Sequence, residues 1–294
     1  MSKLLSATLI ATVVLSANEV QTQKVEPKKD TEVKKEVLSQ KDLLKFIKRN
    51  VVRNPRVKVN KVEIVETKQD ARLPGWDIIF STMNLSFQKR EMNAPLMIFK
   101  NGNLLTTELY DMKTGKSYSK EIKPNVSKKL YDDEHLLMGH KDAKHKILVF
   151  SDPQCPFCQD VMPDIFKAVK ENPDTFALYY YHLPLKRLHP VSDALTRVMH
   201  VAQKDGKVDM ATKMYQLNID IRETNETKIL NAIDKQFGYK VTKEQIDAKE
   251  VKDAIKADED TAAKMMVGGT PTVYIDGKWD RLRNGYKKYL PKKK

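Results

Sequence analysis

FSDPQCPFCQD, residues 150–160, contains both cysteines of the 294-residue chain. Only Pro156 and Phe157 separate Cys155 from Cys158. The apolar run KILVF (146–150) leads into the stretch and reads as a strand, and CQDVMPDIFKAVKEN (158–172) follows with the spacing of a helix. Strand, short loop, CxxC and helix together make an arrangement for redox chemistry. So short a loop restrains the unfolded chain very little, which argues against a structural staple. A helix start places Cys155 where unpaired N–H groups and the helix dipole favour an anion. The thiolate is the nucleophile of disulfide exchange. Cys158, one turn further on, is placed to attack a mixed disulfide formed at Cys155. Pro156 suits a first helical turn, and Phe157 adds an apolar face beside the nucleophile. This dipeptide tunes how strongly the reduced form is held. A zinc site needs four ligands, or three and a water, and there is no second CxxC. His135, His140 and His145 recur every five residues, which fits no single helix face. No metal and no cofactor are expected.

Downstream, FALYYYHLP (176–184) reads as a second strand, and helical stretches follow from VSDALTRVMHVAQ to EQIDAKEVKDAIKADEDTAAKMM. Gly269-Thr270-Pro271-Thr272 then precedes the strand 273–275 and a turn at Asp276-Gly277. Joined to the upstream CxxC, Thr270-Pro271 suggests a cis bond beside the thiols, with neighbouring backbone free to pair with an extended substrate. Upstream, KPNVSKKLYDDEHLLMGHKDAKHK (123–146) is a polar connector. Residues 38–124 read as a small α+β unit. Leu43, Leu44, Ile47 and Val51 mark its helix, three apolar segments its antiparallel strands, and Asn101-Gly102 a hairpin turn. Residues 18–37 are a charged lead-in. Residues 1–17 have the layout of a secretory signal, an uncleaved anchor being the alternative, and export is expected. The net charge of +14 comes from dispersed lysines without a nucleic-acid motif, so no nucleic-acid partner is expected.

VFSDPQCPFC (149–158) and GGTPTVYIDGK (268–278) together resemble the thioredoxin-fold Dsb family of bacterial periplasmic thiol–disulfide oxidoreductases. The Asp-Pro before the loop, the aromatic third position of the CxxC and the threonine before the proline are most similar to the DsbC/DsbG branch. PLMIFKNGNLLTTELYDMKTGK (95–116) is similar to the hairpin of that branch's dimerisation domain. The resemblance implies an α/β thioredoxin fold with a helical insertion over residues 146–294. A linker with a helix (125–145) and a small α+β, cystatin-like dimerisation domain (38–124) would precede it, and two copies would form a V-shaped homodimer. It further implies Cys155 and Cys158 as catalytic residues, with Thr270, Pro271, Pro156 and Phe157 binding substrate. Implied partners are exported cysteine-containing proteins and a membrane redox partner, either a reductase of the DsbD type or an oxidase of the DsbB type, in the periplasm. Disulfide isomerase or reductase work is the leading reading. CPxC and HLPLKRLHP (182–190) are also similar to a DsbA-like oxidase, and a dimeric periplasmic chaperone is a third reading. KHKILVF (144–150) carries no acid, which leaves Lys144, His145 and His182 as candidates for proton handling.

Overall fold

Two sheets organise the computed structural model, which describes residues 38–88 and 90–291. The expected signal (1–17) and charged lead-in (18–37) lie outside the described residues. The chain begins with helix α1 (Gln40–Phe46), whose Asp42 N–H donates to the Ser39 hydroxyl at its N-cap, and a wider turn continues it through Ile47–Val51. Four strands follow as an antiparallel meander: β1 (Lys58–Gln69), β2 (Asp77–Phe87), β3 (Arg90–Asn101) and β4 (Leu104–Thr106). Leu43 and Ile47 pack on Ile79 and Met83 of β2, whereas Ile78 and Phe80 pack with Met97, Phe99 and Ile122 in a second cluster. Alternate residues of β2 therefore enter two cores, which is why burial runs without a break from Ile78 to Met83.

The hairpin turn differs by one residue from the Asn101-Gly102 expectation. Asn101 still pairs with Leu104, so Gly102 and Asn103 make the turn. Gly102, at φ +52°, takes the first central position because only there is a left-handed residue needed. At Asp276-Gly277 both central residues have positive φ and join paired Ile275 and Lys278, as the dipeptide predicts.

After the short α2 (Tyr118–Glu121), the second sheet has the order β5-β7-β6-β8-β9. Its strands are β5 (Leu136–Gly139), β6 (His145–Ser151), β7 (Phe176–His182), β8 (Thr272–Ile275) and β9 (Lys278–Asp280). β6 and β7 are parallel, with α3 (Pro156–Glu171) crossing between them, and the other pairs are antiparallel. Tyr179 and Tyr181 enter one core and Tyr180 the other, so β7 is covered on both faces. Between β7 and β8 run α4 (Ser192–Lys204), α5 (Val208–Lys213), α6 (Glu226–Phe237), α7 (Lys243–Asp247) and α8 (Lys249–Lys264). The last two were expected as one helix. They part at Ala248 (φ −51°, ψ 139°), next to Asp247, which binds Arg197 at 2.6 Å and Lys252 at 2.8 Å. Arg197 also holds Asp193 and Glu226, so a nearly buried guanidinium ties α4, α6 and α7 together.

The stretch 125–145 forms no linker helix. It contains a three-residue turn at Lys128–Leu130 and then β5, because Leu136, Met138 and Gly139 pair with β7 instead of remaining in a polar connector. The segments between and beside the two sheets tie them together. Asn125 N–H donates to Glu66 at 2.8 Å, Arg281 bridges Glu121 at 2.5 Å, and the Lys123 ammonium donates to Met266 O at 2.5 Å.

Gly139 is the tightest backbone approach. A Cβ there would lie 2.0 Å from Phe176 O, and φ is already +80°. Gly139→Ala is expected to cost about 3 kcal/mol in denaturant unfolding. Gly102→Ala, where a Cβ would meet nothing within 4 Å, is expected to cost only about 1 kcal/mol.

Candidate active site

The loop that carries the cysteines leaves the end of β6 and is held by a buried carboxylate. Asp152 is fully buried, and its Oδ1 accepts from Gln154 N–H (2.8 Å) and the Ser192 hydroxyl (2.5 Å). Its Oδ2 accepts from Leu185 N–H (2.9 Å) and His189 Nδ1 (3.0 Å). Gln154 and Gln159 reach across to carbonyls of Met214 and Tyr215 at 3.3 and 3.1 Å. These bonds fix the turn, and Cys155 becomes the N-cap of α3 with Pro156 as its first helical residue. The N–H groups of Cys158 and Gln159 both donate to Cys155 O, at 2.9 and 3.0 Å.

The two sulfurs, both free thiols, sit in different surroundings. Cys158 is fully buried, and Cys155 keeps 4% of its surface exposed beside Phe157, which is 65% exposed. The Cys155 thiol is brought down to about 5. The Cys158 S–H aimed at it is the largest cause, and the Thr270 side chain and the N–H groups of Cys158 and Phe157 outweigh partial burial. Burial, together with its bond to Cys155, drives the Cys158 thiol far up. One sulfur is therefore a thiolate at neutral pH and the other keeps its proton.

Thr270-Pro271 lies against this pair, with a cis peptide bond. The Cys155 thiol meets Thr270 O at 3.5 Å, and Thr272 Oγ1 donates to Gly269 O at 2.7 Å, steadying the loop. The Thr270 hydroxyl is buried with no well-formed hydrogen bond, yet it lies close enough to both sulfurs to hold their pKa values down. Cys155, Cys158, Pro156, Phe157, Thr270 and Pro271 thus converge from the start of α3 and the start of β8. Once Cys155 is ionised it has no hydrogen to give, and Thr270 O becomes free to accept from another backbone.

Two of the three candidates for proton handling lie elsewhere. Lys144 and His145 sit at the start of β6, about 20 Å from its cysteine end. His145 bonds Asp276 at 2.8 Å and stacks on Tyr289. His182 is paired with Ser151 in the sheet, but burial holds it neutral, far below its usual range, and neither ring nitrogen has a partner. Asp152, His189 and Ser192 were missed. The Asp-Pro dipeptide marks a turn but gives no sign that four donors converge there. Among the described residues no group of three or more His, Cys, Asp or Glu is placed to hold a metal ion, and no helix is long and apolar enough to cross a membrane.

The thioredoxin family profile matches residues 132–288, just over half of the chain. The chain is 26% identical over 153 residues to the Na(+)/H(+) antiporter NhaA 1 of Mycobacterium sp. (strain KMS), a match that takes in 49% of this chain but only 24% of the antiporter. It is 26% identical over 169 residues to the probable disulfide bond formation protein D of Bacillus anthracis, covering 53% of this chain and 78% of that protein. Among solved structures, oxidised BdbD from Bacillus subtilis is similar at 19% identity and a TM-score of 0.45, over 56% of this chain and 92% of that one.

The split between the sulfurs predicts a pH dependence. Alkylation of Cys155 should keep its neutral-pH rate down to about pH 5 and then fall about tenfold per unit. Between about pH 5 and the ordinary thiol range only the unfolded form binds this proton, so the reduced protein should gain stability as pH rises through that window. Thiolate absorbance at 240 nm and urea unfolding at a series of pH values check both; a midpoint near 9 would contradict the assignment.

Proposed function

The chain belongs to the thioredoxin family, and we propose that this enzyme is a thiol–disulfide oxidoreductase of the Dsb type that acts on exported proteins, chiefly as a disulfide isomerase or reductase. One observation carries the reading. An ionised Cys155 at the start of α3 has a buried, protonated Cys158 directly behind it and Thr270-Pro271 alongside. In the proposed reaction the Cys155 thiolate attacks a sulfur of a client disulfide. The client's S–S bond breaks, its other sulfur leaves as thiolate, and a mixed disulfide forms. Isomerisation follows when a second client thiol displaces Cys155. Reduction follows when Cys158 attacks Cys155, closing the internal disulfide and releasing the client thiol. Thr270 O, freed by ionisation of Cys155, accepts an N–H of the client strand, while Pro156, Pro271 and exposed Phe157 form the apolar surround.

The proposal extends to a DsbC/DsbG-like arrangement in the periplasm. Residues 1–17 would serve as the export signal, 38–124 as the dimerisation domain and 146–294 as the catalytic domain, with a DsbD-type membrane reductase as electron donor. Exposed Leu104, Tyr110 and Met112, close together in the chain at and after β4, support a homodimer through that unit, because large apolar side chains left in water favour a partner surface. A second reading, a DsbA-like oxidase fed by a DsbB-type partner, draws on the same thiolate. Stabilising the reduced form makes the disulfide more oxidising.

Acid-quenched alkylation of whole cells separates the directions. A pair held mainly as dithiol supports isomerase or reductase work, and one held mainly as disulfide supports the oxidase. Cys158→Ser is expected to accumulate covalent adducts with exported proteins that dithiothreitol releases, whereas Cys155→Ser forms none; non-reducing gels read both, and a Cys158→Ser lane without adducts would contradict the exchange mechanism.

A further inference from the structure

Once Cys155 is tied up in a mixed disulfide, the resolving sulfur has to carry negative charge deep in the fold. Cys158 is fully buried, and the carboxylate nearest in sequence, Asp152, is taken up by its own four donors. His182, whose ring packs edge-on to Tyr180 at 5.0 Å, is neutral. What does reach Cys158 is a set of neutral donors: the Asp152 N–H, the Thr270 hydroxyl and, through Ser151, a row of hydroxyls. The Ser151 side chain, fully buried at the end of β6, lies against the Cys158 sulfur. Tyr215 O–H donates to Ser151 Oγ at 2.6 Å, and Tyr180 and Tyr215 hydroxyls are 2.6 Å apart. Each hydroxyl has one hydrogen. With that of Tyr215 spent on Ser151, Tyr180 must donate to Tyr215, and the Ser151 hydrogen is left for the sulfur. Both phenols are buried so thoroughly that they stay protonated and act as donors.

We propose that Tyr180, Tyr215 and Ser151 form a one-way chain of hydroxyl donors that ends on Cys158 and holds the charge its sulfur takes on while resolving a mixed disulfide. This rests on the exchange reaction proposed above. In that step Cys158 loses its proton and its sulfur bonds to the Cys155 sulfur. The bond between Cys155 and the client sulfur breaks, and the client sulfur leaves with the electron pair and takes up the proton. No further oxidant or reductant enters. Ser151 touches the reacting sulfur, whereas Tyr215 and Tyr180 are positioning residues that polarise it in turn. A carboxylate in their place would repel the forming thiolate, whereas neutral donors stabilise it.

The test uses the full chain and dithiobis-nitrobenzoate as the disulfide. Attack by Cys155 releases one coloured thiolate in a phase that depends on reagent concentration, and resolution by Cys158 releases the second in a phase that does not. Ser151→Ala and Tyr215→Phe each remove one hydroxyl and keep the carbon frame. Relative to the first phase, the second is expected to slow about tenfold or more in Ser151→Ala, less in Tyr215→Phe and least in Tyr180→Phe. A purely structural role would lower stability without this order or this split between phases. An unchanged ratio of the two phases in either Ser151→Ala or Tyr215→Phe, with native circular dichroism, would overturn the donor chain while leaving the exchange reaction intact. Absence of the first phase in the unaltered protein would overturn the exchange reaction and the chain with it.

Discussion

Four donors from three segments converge on a carboxylate that no solvent reaches, and the geometry of the cysteine pair depends on that convergence. Asp152 gathers the N–H groups of Gln154 and Leu185, the Ser192 hydroxyl and the His189 ring. A buried charge is tolerable only when its lone pairs are satisfied, so these partners are held to it as firmly as it is to them. The result is a loop with little freedom, from which α3 can begin only at Cys155. The 183–190 segment is pinned to the same group through Leu185 and His189.

From that fixed start the two sulfurs acquire opposite characters. Cys155 receives the hydrogen of Cys158 and faces the open end of a helix, and both favour the anion. Cys158 lies one turn deeper, where desolvation opposes charge. The proton shared between them is what separates a reactive sulfur from a waiting one, and once Cys155 is tied to a client that arrangement ends. Around Cys158 then remain the Asp152 N–H, the Thr270 hydroxyl and Ser151, the last joined to hydroxyls of β7 and of the turn after α5.

The first sheet is not mechanically separate from this chemistry. Lys123, which follows α2, reaches to Met266 O, just ahead of the Gly-Gly-Thr-Pro loop, while its ammonium lies 5.1 Å over the Trp279 ring. Met266 itself has φ +54°, a conformation that costs a non-glycine residue about 1–2 kcal/mol and that needs such contacts to persist. The Lys68 ammonium donates in turn to Lys123 O, continuing the path into β1. The loop that presents Thr270 is thus linked through Lys123 to β1.

What the sequence determined is what neighbouring residues can encode. The CPFC motif at a strand-to-helix junction, the Asp276-Gly277 turn and the Thr-Pro before β8 depend on cap chemistry, positive φ and proline geometry, which act over a few residues. β5 escaped notice because Leu136, Leu137 and Met138 are a short apolar run among polar neighbours, and only pairing with β7 makes them a strand. The break at Ala248 has no glycine or proline to announce it and follows from Arg197, which lies 50 residues away and holds Asp247. The partners of Asp152 and the row from Tyr180 through Tyr215 to Ser151 were equally invisible. Their members are separated by 33 to 64 residues, apart from Gln154, which is two residues from Asp152. Local chemistry named the nucleophile; only the packed fold, by burying Cys158 behind Cys155, decided how the two sulfurs differ.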